Sequence, residues 1–407
     1  MEHLFEAISI YSSSRYEEDF VDRLNFQTTS LVFFLATSVI FYQSFFGKAL
    51  LCWTPVQFRG GWDEYTDDFC FVENTYFVPV NNRSLPDDNE VRENAKLPYY
   101  QWVPFVLALQ AMCFCIPHIF WRMVNWLSGV QVRAVVSMAV QTSSPVEDVN
   151  EVVIRMIANH LSNGLKMSRE EHRYFGASSN PIGYLARVAT LKMKCYITFC
   201  YFTMKGLFIA NLLIQLAVIN FFLSIPGGDA FTWGVSLLIR LFQGNDWSNT
   251  GIFPRVTMCD FEIRELGNIH RWSVQCVLPL NMFSEKIYIL LWFWLHIMLA
   301  TTLVNTIIWL LQIMRDQSRI NFIEDLLTTA KIMDESFFKD SDYEKNVQRL
   351  YSDLGWDGIL VLRILLSNAG QMPCVAIMKQ LYRKYSVDNN ANNGRVTTPQ
   401  LINAMKQ

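Results

Sequence analysis

Charge is scarce in this chain. Asp, Glu, Lys and Arg make up 17% of its 407 residues, and none of them lies within four long apolar windows. The net charge of -3 leaves no basic surplus of the kind that marks a nucleic-acid surface, so nucleic acid is not expected as a partner. Histidine is equally sparse, at six residues. His118 and His296 stand singly in separate windows with no carboxylate near them in sequence, which points to packing or an interhelix hydrogen bond rather than acid–base chemistry. No enzyme activity and no cofactor are expected. Metal-site spacing is missing as well. Cys113-Phe114-Cys115 is too short to resemble a zinc site. The run from Asp388 to Gly394 fails as a calcium loop, because its glycine falls one place late and Pro399 stands where a bidentate Glu belongs. The first 23 residues hold six acids and two arginines without an unbroken apolar core, so no cleavable signal peptide is read there and the N-terminus is assigned to the cytoplasm.

What the chain does have is apolar length. The windows at 24–47, 97–121, 206–228 and 287–314 each exceed the ~20 residues needed to cross a bilayer. They predict four transmembrane helices separating a cytoplasmic N-terminal segment (1–23), a first outer loop (48–96), a cytoplasmic loop (122–205), a second outer loop (229–286) and a cytoplasmic C-terminal region (315–407). A shorter apolar piece, Ala230 to Ile239, is too short to span and is placed outside the membrane. Lys and Arg number 2, 10 and 12 in the three cytoplasmic segments against 5 in each outer loop, which supports this orientation. The fold class expected is an all-α membrane protein.

Gly60-Gly61 and the run Pro86 to Asn89 predict an irregular first outer loop, and the second admits short strands or helices. Cys52 and Cys70 fall in the first loop, Cys259 and Cys276 in the second. Outside the cell these four predict two disulfides, in any of three pairings. The acids Asp63, Glu64, Asp67, Asp68 and Glu73 read as a solvated cluster. On the cytoplasmic side, Ser144-Pro145 with Glu147 predicts a helix start and Asn163-Gly164 its stop, with Val149, Val152, Val153, Met156, Ile157 and Leu161 on one face. Ile323, Leu326, Leu327 and Ala330 form a second such face. The two cytoplasmic segments are expected to pack together as a helical dome, with Asp388–Asn393 as a turn or tail.

Some residues bear on conduction. Ser30, Thr37 and Ser44 recur every seven residues, with Gln27 near their face, and either line water or pack between helices. Acids of the N-terminal segment, Glu2 and Glu6 among them, would favour cations if repeated around a pore. Pro104 and Pro117 are candidate kinks in the second span. Asn82-Arg83-Ser84 is a glycosylation acceptor in the first outer loop.

Tyr99-Tyr100-Gln101-Trp102-Val103-Pro104-Phe105 resembles the signature heptapeptide of the innexins, the invertebrate gap-junction proteins. Phe253 to Phe261, Leu266-Gly267-Asn268, Val274 to Leu278, Asn281-Met282-Phe283 and Leu291 to Trp294 follow in that family's order. The resemblance implies a gap-junction subunit in an octameric geometry, a homo-oligomeric hemichannel that docks with a second ring on the adjacent cell or mixes with other innexin subunits in the plasma membrane. It also implies disulfides Cys52–Cys276 and Cys70–Cys259, a constriction set from Met1 onward, and a path lined by the first span. The alternatives are an undocked hemichannel, which a glycan on Asn82 would favour, and a non-conducting four-span adhesion protein.

Overall fold

The computed structural model describes residues 18–56, 58, 60–78, 88–126, 130–142, 147–175, 195–222, 235, 239, 253–333 and 343–392. Helix α1 runs Phe20–Phe45 with one wider turn at Leu24–Thr28. The first interspan segment holds β1 (Leu51–Trp53), α2 (Gly61–Glu73) and α3 (Asn89–Asn94). Then come α4 (Tyr99–Cys113), α5 (Ile116–Trp126), α6 (Val132–Gln141), α7 (Glu147–Phe175) and α8 (Tyr196–Phe222). Strands β2 (Val256–Glu265) and β3 (Asn268–Val277) precede α9 (Pro279–Met314), α10 (Asp316–Met333), α11 (Tyr343–Ala369) and α12 (Gln371–Asn392).

Four helical stretches are long and apolar enough to cross a membrane: Phe20–Phe45, Tyr99–Asn125, Tyr196–Phe221 and Pro279–Met314. The second is interrupted at Phe114 and Cys115, between α4 and α5. Pro117 has no N–H to give the Cys113 carbonyl, which accounts for a break there. Pro104, by contrast, is carried inside α4 without ending it.

The first interspan segment corrects the expectation of an irregular loop. Gly60 adopts φ +60 and starts α2, so the glycine pair sets a helix N-terminus rather than a loop. A three-stranded antiparallel sheet in the order β1-β3-β2 accompanies the helices. Its β2–β3 hairpin turns at Leu266 (φ 48) and Gly267 (φ 87), two successive positive-φ residues as a tight hairpin turn requires. Two helix ends also differ from expectation. α7 passes through Asn163-Gly164 to Phe175, and α12 continues through Asp388 to Asn392.

The chain divides into two compact units. One comprises Leu24–Ile116 and Phe208–Thr302. Its core joins Phe33 and Ile40 of α1, Tyr100 and Leu107 of α4, Leu212 of α8 and Leu291 of α9 to the buried Cys70, Cys259 and Cys276. Helix packing and the sheet thus share one apolar cluster.

The other unit comprises Met1–Arg23, Pro117–Leu207 and Leu303–Gln407. Here α6 and α7 pack on α11 and α12, with α10 against α12. Ile323, Leu326, Leu327 and Ala330 are buried, whereas the α7 face is narrower than its sequence suggests: Ile157 and Leu161 are buried but Val152 and Met156 are exposed. Close approach is visible at Gly358, where a Cβ would lie 2.8 Å from Leu354 and 3.1 Å from Leu165.

Candidate channel site

The sheet brings the four loop cysteines together by register. Cys52 of β1 lies opposite Cys276 of β3, and Cys259 of β2 lies opposite Val274, next to the position of Cys276 on the same face. Bonds join Cys52 to Cys276 and Cys70 to Cys259, across 224 and 189 residues of sequence. The sulfurs of Cys52, Cys70 and Cys276 lie within 4.8 Å of one another, so the two bridges form one cluster of sulfur tying both interspan segments. In chain-entropy terms, the first of these closures is worth roughly 5 kcal/mol, and the second, nested with it, less.

Acids that read as solvated serve this assembly. Asp67 accepts from the Cys52 N–H at 2.8 Å, and Asp63 accepts from the Thr54 hydroxyl at 2.7 Å. Burial raises the Asp67 carboxyl above its ordinary range, against the pull of the Cys52 N–H. On the hairpin, Asp260 accepts from Arg92 at 2.8 Å and from the Tyr76 hydroxyl at 3.0 Å. Burial alone would raise Asp260; hydrogen bonds from Ser273, Arg92 and Tyr76 overcome it and hold the carboxyl low. Tyr76, buried against that carboxylate, is pushed up to about 12.

The heptapeptide has a mechanical role that its sequence did not disclose. The buried Tyr100 hydroxyl donates toward the Cys70 and Phe71 carbonyls at 3.4 and 3.3 Å and accepts from the Thr75 N–H at 3.2 Å. Gln101 donates to the Phe71 and Val72 carbonyls at 2.6 and 3.0 Å and to Asn74 Oδ1 at 3.0 Å. These carbonyls are the last of α2, which have no partner within their own helix. The start of α4 therefore caps the end of the helix that carries Cys70. Tyr99 packs edge-on to Phe253, Val103 and Pro104 are buried, and Trp102 and Phe105 remain exposed as an interfacial aromatic pair.

The conduction candidates separate. Met1, Glu2 and Glu6 lie outside the described residues, as does Asn82. Gln27 sits half-buried in the wide turn of α1. The Ser30 hydroxyl donates to the Ala111 carbonyl of α4 at 2.9 Å, which spends it on helix packing. Thr37 bonds its own helix at Phe33, and Ser44 Oγ is buried without a hydrogen bond. The open face of α1 is instead that of Phe34, Leu35, Ser38, Phe41 and Tyr42.

Three N-terminal acids turn out to be interior. Lys205 of α8 is fully buried and reaches Asp22 at 2.9 Å and Asp19 at 3.0 Å. Tyr201 donates to Asp22 at 3.1 Å, Asn305 donates to Asp19 at 2.6 Å, and the Asp19 carboxylate caps the Asp22 N–H at 2.8 Å. Glu18 meets His118 Nδ1 at 2.6 Å, which gives that histidine its partner from a distant part of the chain. Asp19 stays low even though its burial works the other way, because the Lys205 ammonium and Asn305 hold it ionised. Sequence reading missed this cluster, since the acids and the groups they bond on other helices are 100 to 286 residues apart. Its one signal was a lysine set directly before an uncharged span.

A family model described as Innexin matches residues 18–385. Innexin-16 of Caenorhabditis elegans is 36% identical over 377 residues, 92% of this chain and 92% of its own length. Innexin unc-9 of the same organism is 33% identical over 370 residues, 91% of this chain and 92% of its own. Innexin-3, also from C. elegans, is 34% identical over 371 residues, covering 90% and 84%. With four membrane-length helices, the heptapeptide that caps α2 and the paired bridges, the chain belongs to the innexin family of gap-junction channel proteins of the plasma membrane.

Proposed function

We propose that this chain forms an octameric ring whose N-terminal segment sets the constriction of a wide aqueous pore, and that two rings dock across the gap between cells. The observation that carries this reading is the incomplete burial of the four apolar helices: between 33% and 44% of each membrane window is covered by the chain's own residues. Lipid covers part of the remainder, and neighbouring copies cover part. In this reading the cysteine-bearing segments 48–96 and 229–286 face the oxidising exterior, and the balance of Lys and Arg assigns the ends of α5 and α9 and the start of α8 to the cytoplasm.

The buried pairs of Lys205 with Asp19 and Asp22 fix the chain where α1 begins. In this reading Glu2 and Glu6 of the N-terminal segment contribute the rings of charge. Passage is diffusion limited by radius and by rings of charge rather than by dehydration. Neutralising Glu2 and Glu6 together is expected to shift the reversal potential toward lower cation preference; an unmoved reversal potential removes the N-terminal segment from the pore.

Leu266 supports the docking half of the reading. It is 99% exposed at the hairpin turn and holds a left-handed φ of 48, a costly combination for a leucine in an isolated chain. Covering it with an opposed ring offsets that cost. Leu266→Asn eases the turn, so it should leave single-cell hemichannel current intact while lowering coupling between paired cells. Unchanged coupling would place the docking contact elsewhere.

A second reading, the undocked hemichannel, is favoured by the acceptor triplet at Asn82. Current between paired cells that appears only in Asn82→Gln would establish it.

A further inference from the structure

Beneath the second span lies a cavity of about 670 Å³ between the last turns of α5 and helix α6. Arg122 and Asn125 enter it from α5, Arg133 and Ser137 from α6. No carboxylate is among its described lining residues. Both arginines are exposed, and Arg122 has no hydrogen-bond or ion-pair partner among the described residues. The opposite face of α6, Val132, Val135, Val136 and Ala139, is fully buried, so the helix presents Arg133 and Ser137 to the cavity from a fixed support.

The wall running up α5 is apolar. Ile119 and Met123 are 53% and 67% exposed, and they share a helix face with Arg122 at spacings of three and four residues. A cationic pair at the end of a membrane-length helix, continuous with an open apolar stripe on that helix, matches one kind of molecule: a phospholipid with an anionic headgroup. The phosphodiester needs two positive donors, the acyl chain needs an apolar track, and the two must be joined at the bilayer surface.

We propose that this cavity binds the headgroup of an anionic phospholipid of the inner leaflet, its phosphate between Arg122 and Arg133 and its acyl chain along Ile119 and Met123. The proposal rests on the orientation given above, in which the end of α5 faces the cytoplasm, where anionic lipids are concentrated. Occupation would tie α5 to α6.

The test uses the full chain in detergent, titrated with phosphatidylserine and with phosphatidylcholine and read by native mass spectrometry. The unmodified protein should retain phosphatidylserine selectively. The double variant Arg122→Gln/Arg133→Gln should lower that retention at least fivefold, with oligomer mass and phosphatidylcholine retention unchanged. Arg315→Gln, a charge removed at the end of another span, should leave retention as it was. Ile119→Gln/Met123→Gln should weaken phosphatidylserine binding through the track alone.

Equal retention by the double arginine variant would overturn the site. So would an equal loss in Arg315→Gln, which would show general surface attraction. Displacement of the lipid by glycerophosphoserine at matched concentration would replace it with a site for soluble phosphate esters. None of these outcomes depends on whether rings dock, so failure here is separable from failure of the channel reading.

Discussion

At the scale of single residues, the structure turns on polar groups that have left water. Lys205 is the clearest. Truncating one member of a buried ion pair strands the other, at a cost of about 3–5 kcal/mol, whereas replacing the set with apolar residues costs far less. Lys205→Met is therefore expected to lower thermal stability of the detergent-solubilised protein sharply. The combination with Asp22→Leu and Asp19→Leu should recover part of the loss; a fully additive loss would show that the charges do not act as one cluster. Tyr100→Phe orphans the Thr75 N–H and should cost about 1–3 kcal/mol by the same assay.

Asp357 supplies the pH dependence. It accepts from the Thr198 N–H at 2.9 Å and hydroxyl at 2.8 Å, capping the start of α8. Burial pushes its carboxyl from 3.8 up to about 6, although the hydrogen bonds from Thr198 pull the other way. The folded chain therefore holds this proton more tightly than the unfolded chain. Stability from this group is fully present below the unfolded value of 3.8, and is lost as pH rises through about 6. The swing is of order 3 kcal/mol. A melting-temperature series across that window should fall for the unmodified protein and flatten in Asp357→Asn; parallel curves would refute the assignment.

At the scale of elements, the four spans were legible because each is an uncharged run longer than a bilayer is thick, a signal that needs no partner to be read. The helices outside the spans were legible through their 3.6-residue spacing, but their ends were not: α7 passes a glycine that normally stops a helix because Leu165 beyond it packs against α11 at Gly358. The helix α2 was hidden by Gly60-Gly61, a pair that means a turn in most contexts. It survives because residues of α4 cap its far end, a contact made across about thirty residues. The buried charge cluster was illegible for the same reason. Carboxylates near an N-terminus look like surface until the fold shows which lysine they meet.

The bridges belong to this scale too. Removing Cys70–Cys259 by paired serine substitution should cost about 2–5 kcal/mol and loosen α2 from the hairpin. Limited proteolysis of the segment carrying α2, faster in the variant than in the unmodified protein, would register it.

For the whole molecule, the arrangement is consistent with passive conduction. Among the described residues, the buried charges serve helix ends and ion pairs, and much of the apolar surface left uncovered is that of the four membrane-length helices. Such a chain gains by associating with copies of itself and with lipid, and the family it belongs to does so to join cells. The most direct test is dual voltage clamp on two apposed cells, each expressing only this chain and each shown by surface labelling to carry it. The account predicts current that passes from one cell to the other and is absent from pairs in which only one cell expresses the protein. Surface protein in both cells with no junctional current would contradict it.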